Sequence, residues 1–275
     1  MEIKLAKSYG FCFGVKRAIK IAENAQNATT IGPLIHNNEE INRLKENFNV
    51  LTAKDIHDLD SNTTKAIIRT HGITKSDLQE LKKSGREIIN ATCPYVTKPQ
   101  NIVEKMSKEG YQIIIFGDEN HPEVKGVKSY AINEPIVILD AKELEKFHIQ
   151  SKIAVISQTT RKISEFSKIV DYLIRNYKEV RVFNTICNAT FENQDATREL
   201  SLEADIMIII GGKNSSNTKQ LFTISQENCN DCYLIENEKE LQKEWFENKN
   251  LCGISAGAST PDWIIKRIME KIREY

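Results

Sequence analysis

The sequence has no excess charge of either sign: 38 lysines and arginines stand against 38 aspartates and glutamates in 275 residues. Without a basic field there is no electrostatic ground for a nucleic-acid partner, and an anionic ligand needs a site built locally. Long apolar runs are missing as well. The longest, Ile206 to Ile210, is far too short to span a bilayer, so no membrane partner is expected. There is no G-x-x-x-x-G-K-[ST] run, which excludes a P-loop. The 6 prolines and 12 glycines form no cluster that would link independent modules. Met1 runs almost directly into a strand-like stretch, so no cleavable leader is expected. Six cysteines fit a disulfide framework by number, but in a long chain without an export signal they point to reduced thiols in the cytoplasm.

What the chain does have is a pattern that recurs around cysteine. In Tyr9-Gly-Phe-Cys-Phe-Gly-Val-Lys-Arg-Ala18, Cys12 follows a strand-like run and opens a helix whose Val15, Ala18, Ile19, Ala22 and Ala25 keep helical spacing. Glu87-Ile-Ile-Asn-Ala-Thr-Cys93-Pro94 repeats the arrangement, with Pro94 suited to a first helical position and a helix through Met106. Val180 to Cys187 does so again, and its spacing predicts a helix over 193–200. Taken alone, a cysteine at such a joint reads as a buried structural thiol. The separations, 81 residues from Cys12 to Cys93 and 94 from Cys93 to Cys187, are too long for a zinc knuckle and close to equal.

Each cysteine heads the same series of elements. A strand ends in a glycine-led polar loop: Gly32 to His36, Gly117 to His121, Gly211 to Ser215. A second strand leads into a short charged helix. A third carries a polar tip, at Thr70-His71-Gly72, Gln158-Thr159-Thr160 and Gly257-Ala258-Ser259. Strands alternating with helices in passes of this length predict parallel βαβ units. The fold class is therefore α/β, with three similar small lobes of parallel sheet, about 1–93, 94–187 and 188–275. The alternative is one doubly wound sheet. A strand ending at a cysteine can pair in the lobe before it or after it; in the former case the strand before Cys12 completes the third lobe. Ligands gather at the carboxyl ends of such strands, where the cysteines, histidines and hydroxyls lie.

Three thiolates brought from equivalent places to a pseudo-threefold axis suit zinc or an iron–sulfur cluster. Structural zinc wants a fourth protein ligand, and a protein-held cluster usually takes four cysteines, so three suggest a metal left open to substrate. Cys229-Asn-Asp-Cys232 reads as ordinary connector cysteines, a redox pair or half a zinc site, and Cys252 as a small core residue. Asn120-His-Pro-Glu-Val124 reads first as a helix start, with Glu123 in its first turn. Lys213 to Asn217 and Ala258 to Pro261 are capping sequences, whose free N–H groups suit phosphate if aimed inward. His57 and His148, in charged stretches, read as surface residues.

The motifs GFCFGVKRAI, GPLIHN, IRTHGI, ATCPYVTK, HPEVKG, SQTT, GKNSSN and SAGASTPDW run in this order from residue 9 to 263. By them the chain resembles the 4-hydroxy-3-methylbut-2-enyl diphosphate reductase family, which closes the methylerythritol phosphate route to isoprenoids. The resemblance implies three α/β lobes around a central iron–sulfur cluster, one 4Fe-4S cluster per chain, held by Cys12, Cys93 and Cys187. It implies that His36, His71, His121, Thr159, Ser215, Ser216, Asn217 and Ser259 line the substrate site, with Glu123 the proton source and Thr159 positioning it. The expected partners are an allylic diphosphate and reduced ferredoxin or flavodoxin as electron donor. An iron–sulfur electron carrier or redox sensor is the alternative function. The family commonly has aspartate at Asn90, valine-histidine at Pro99-Gln100 and arginine at Asn193, so supporting contacts are expected to differ there.

Overall fold

Short apolar runs alternating with amphipathic segments become parallel strands joined by helices, in a computed structural model that describes residues 1–275. The first pass contains β1 (Glu2–Leu5), α1 (Phe13–Ala25), β2 (Ala28–Ile31), α2 (Asn38–Phe48), β3 (Val50–Ala53), β4 (Lys65–Ile68), α3 (Lys75–Lys83) and β5 (Glu87–Asn90). The second contains α4 (Pro94–Lys108), β6 (Gln112–Phe116), α5 (Pro122–Lys128), β7 (Ile136–Ile138), β8 (Lys152–Ser157), α6 (Ile163–Asn176) and β9 (Glu179–Phe183). The third contains α7 (Asn188–Ser201), β10 (Ile206–Ile210), α8 (Ser216–Gln226), β11 (Cys232–Ile235), β12 (Leu251–Ala256) and α9 (Asp262–Arg273).

The strands form three four-stranded parallel sheets, ordered β3-β2-β4-β5, β7-β6-β8-β9 and β11-β10-β12-β1. These are one connectivity used three times. Each cysteine-tipped strand joins the sheet of the pass before it, so β1 pairs with β12 and supplies the third sheet's last strand.

By compactness the chain falls into two units, one of residues 1–16, 35–43 and 188–275, the other of 17–34 and 44–187. In the first unit β10 is buried along its whole length, as parallel strands covered on both faces are. Ile206, Ile208 and Ile210 meet Ile264, Ile265 and Ile268 of α9 on one face. Met207 and Ile209 meet Leu200 of α7 and Leu221 of α8 on the other, the period of two that a strand imposes. Trp263 donates from Nε1 to the buried Glu40 at 3.0 Å, which ties the 35–43 segment to α9. In the second unit Ile113 and Ile115 of β6 pack with Val103 and Met106 of α4 and with Val124 and Val127 of α5.

Two expectations change. The apolar spacing predicts a helix from 193, but α7 starts at Asn188, directly after Cys187. Its buried face includes Thr190, Asn193, Gln194 and Thr197, so hydrophobic periodicity gives no sign of the first turn. The charged segments after the second strand of each pass are 3-10 turns, Ile56–Asp58, Ala141–Lys146 and Glu238–Glu240. Asp55, Asp140 and Asn237 open them identically, each accepting from the N–H two residues on at 2.8, 2.8 and 3.1 Å. No helix is long and apolar enough to cross a membrane.

Candidate active site

The three recurrent cysteines share one local geometry. Each immediately precedes a helix, beginning at Phe13, Pro94 and Asn188. Each backbone N–H is held by a carbonyl at the tip of the neighbouring strand: Cys12 by Ala258 at 3.2 Å, Cys93 by Thr70 at 3.0 Å, Cys187 by Thr159 at 2.9 Å. None of the three is in a disulfide, and all are half-buried. The remaining three are also outside any disulfide, but buried. Burial pushes the Cys232 and Cys252 thiols up to about 12 and raises Cys229 as well. Such thiols keep their protons and make poor ligands. Cys252 lies on the α9 face of its sheet and the Cys229–Cys232 pair on the other, so these three form no common site.

In the second unit the tips of β6 and β8 assemble an acid. Glu123, in the first turn of α5, is only 2% exposed. Thr159 donates twice to its carboxyl group, from N–H to Oε1 at 2.7 Å and from Oγ1 to Oε2 at 2.6 Å. Burial raises the Glu123 pKa; the two Thr159 bonds and the Arg161 charge pull the other way. We take burial to win, because the carboxyl has no ion-pair partner and the Thr159 hydroxyl can equally accept its proton.

Beside it, His121 caps the same helix through its ring: Nδ1 accepts from the Glu123 N–H at 3.2 Å. An accepting Nδ1 places the proton of the neutral imidazole on Nε2. His71 stands edge-on to His121, with ring centroids 5.3 Å apart. The structure thus brings Glu123, Thr159, His71 and His121 together at the strand ends of this unit.

The first unit gathers a second set. Ser259 donates from Oγ to the His36 carbonyl at 3.2 Å. Ser215 caps α8, its Oγ accepting from Thr218 N–H at 3.3 Å; Ser216 begins the helix and Asn217 follows. Asn217 is 4% exposed, and neither its Nδ2 nor its Oδ1 has a hydrogen-bond partner. An orphaned buried polar group costs about 1–3 kcal/mol, which a ligand amends. Gly212 makes this packing possible, since a Cβ there would stand 2.3 Å from the His36 carbonyl oxygen. Gly212→Ala is expected to destabilise the protein by about 1–3 kcal/mol, because the obstacle is backbone. Urea denaturation checks this, and an unchanged midpoint would refute the close approach.

Comparison with known proteins fits this geometry. Residues 3–273 match the family described as LytB protein. A Campylobacter fetus protein named 4-hydroxy-3-methylbut-2-enyl diphosphate reductase is 68% identical over 272 residues, covering 99% of this chain and 97% of its own. The Campylobacter curvus protein of the same name is 66% identical over the full length of both chains. The chain belongs to the LytB family. Among solved structures, a (E)-4-hydroxy-3-methyl-but-2-enyl diphosphate reductase, described as the terminal enzyme of the non-mevalonate pathway, aligns at 41% identity with a TM-score of 0.72 over 99% of both chains. A Plasmodium falciparum reductase aligns at 27% identity and a TM-score of 0.91, covering 98% of this chain and 86% of that one.

Within the LytB family pattern, the three departures take up structural contacts. Asn90 accepts from the Thr92 N–H at 2.9 Å and shapes the turn into Cys93. Gln100 is buried, with its amide against Gly72 and Gly126. Asn193 accepts from Ser8 Oγ at 2.6 Å. Sequence reasoning passed over Gln158 and Arg161. The Gln158 amide oxygen accepts from Asp118 N–H at 3.0 Å and from Arg161 Nε at 3.3 Å, and the Arg161 guanidinium lies over Phe116. The signal available was their position inside and beside the SQTT tip.

Proposed function

We propose that this chain converts 4-hydroxy-3-methylbut-2-enyl diphosphate to isopentenyl and dimethylallyl diphosphates, taking up two electrons and two protons and releasing water. The observation that carries the reading is the buried, hydrogen-bonded Glu123–Thr159 pair in a member of the LytB family. Cys12, Cys93 and Cys187 fit a 4Fe-4S cluster by donor chemistry: they are the half-buried thiols, each at a helix N-terminus where negative charge is favoured. Bound there, the cluster would supply electrons and a Lewis-acidic iron with an open position.

The chain's own residues would handle the protons and the anion. Glu123, held neutral by burial, donates from Oε2 to Thr159 Oγ1, which passes its own proton to the departing hydroxyl. His121 presents Nε2–H, and Asn217 its unspent amide, as donors for diphosphate oxygens. His36, His71, Ser215, Ser216 and Ser259 complete this proposed lining. Reduced ferredoxin or flavodoxin would be the donor, in the cytoplasm. Lobes 1–93, 94–187 and 188–275 would be repeats of one unit, a reading supported by the common strand order.

Anaerobic titration with the substrate, followed by visible and EPR spectra and product analysis, tests the reading. A cluster signal perturbed at one substrate per chain, with both five-carbon products on reduction, supports it. A cluster indifferent to the substrate sinks it and favours an electron carrier. Thr159→Val gives a sharper check. It removes a bond that lowers the Glu123 pKa, so the alkaline limb of kcat/KM should move to higher pH while the rate falls about ten- to a hundredfold. A limb that stays in place removes Glu123 from the proton path.

A further inference from the structure

An open groove of about 600 Å³ runs beside Cys93 along one face of α4, whose Pro94, Thr97, Lys98, Asn101 and Lys105 succeed one another at helical spacing. Its lining includes Arg17, Lys98 and Lys105 and no carboxylate, in a chain with no net charge. Arg17 donates to the carbonyls of Thr92 at 3.3 Å and Asn90 at 3.5 Å. Both acceptors are neutral carbonyls, so the guanidinium holds the turn into Cys93 with no carboxylate among these partners to offset its charge. The aspartate that the family pattern leads one to expect at 90 would set a negative charge beside it; Asn90 does not. Lys98 is exposed, and Lys105 faces only Glu109, at 3.9 Å and largely in solvent.

We propose that this groove docks a small acidic one-electron carrier protein, which delivers electrons at the Cys93 end of α4. The inference rests on the reductase reading, in which two electrons must come from outside: two carriers are each oxidised by one electron while the substrate hydroxyl leaves as water. The cations are spread too widely for a small anion, Lys98 and Lys105 being about 10 Å apart along the helix axis. They suit instead a surface carrying several carboxylates. The groove offers no aromatic platform for nucleic-acid bases.

The test is the double variant Lys98→Glu/Lys105→Glu, with folding checked by circular dichroism. A plant-type [2Fe-2S] ferredoxin serves as the probe, its binding measured calorimetrically and its support of turnover compared with that of reduced methyl viologen. The expected result is a Kd and a KM for ferredoxin raised about tenfold or more, with viologen-driven turnover within about twofold of the parent. The parent's ferredoxin affinity should fall steeply as salt shortens the Debye length, and the variant's should not. An unchanged ferredoxin Kd and salt response would overturn the groove and leave the reductase reading standing. Lysine-dependent binding with no reduction of the allylic diphosphate by either donor would support the surface and overturn the reductase reading.

Discussion

Glu123→Gln is expected to keep the fold and to lower turnover of the allylic diphosphate by about 10²- to 10⁴-fold, the usual worth of a positioned acid. The structure makes the substitution conservative. The Gln carbonyl can accept from the Thr159 N–H as Oε1 does at 2.7 Å, and the new NH₂ can donate to Thr159 Oγ1 once that hydroxyl turns. What is lost is the dissociable proton. The same variant should also flatten part of the pH dependence of stability. On unfolding, the carboxyl returns to its ordinary value of 4.5, whereas burial raises it in the native state. As pH rises past the unfolded value, the unfolded chain releases this proton while the folded chain still holds it. Stability contributed by this group is therefore full below the unfolded pKa and lost as pH climbs through the folded one. Relative to Glu123→Gln, the parent should lose stability as pH rises across that window. Urea midpoints at acid, neutral and alkaline pH read the difference; parallel curves with undiminished turnover would remove Glu123 from both roles.

Glu123 also shows where the sequence stops being informative. Pro122 and Glu123 announce a helix start by local rules, and α5 does begin there. The burial of its carboxyl under Thr159, 36 residues later, is decided by the parallel pairing of β6 with β8, which no local pattern encodes. His121 is similar: its place in a glycine-led loop was visible, but its ring capping the Glu123 N–H was not. The α/β alternation was legible because apolar runs such as Ile206 to Ile210 are dense and cleanly bounded. The start of α7 was not, since Thr190, Asn193 and Thr197 put polar atoms on a buried face and mimic a loop. Asn217 could be read as part of a capping sequence. Its burial without partners, the feature that points to a ligand, emerges only when the chain is folded.

The cysteines should divide just as sharply. Serine at Cys12, Cys93 or Cys187 is expected to take iron well below the about four atoms per chain of a four-iron cluster and to abolish reduction of the substrate. Alanine at Cys229, Cys232 or Cys252 should leave iron and turnover in place and cost only about 1 kcal/mol of stability. Six cysteines outside any disulfide are separated here by environment alone. The first three stand half-exposed at strand-to-helix joints, each with its N–H fixed to a carbonyl on the neighbouring tip. The last three are enclosed by aliphatic side chains on both faces of the β11-β10-β12-β1 sheet, and burial holds their protons in place. The C-x-x-C spacing of Cys229 and Cys232 is thus a poorer guide than burial, because a ligand must first become a thiolate. Iron analysis and visible spectra of all six variants, prepared anaerobically, decide the matter. Full iron and colour in any of the serine variants at 12, 93 or 187 would sink the three-cysteine assignment. Iron lost from the Cys229 or Cys232 variants would move the metal to the other side of the sheet.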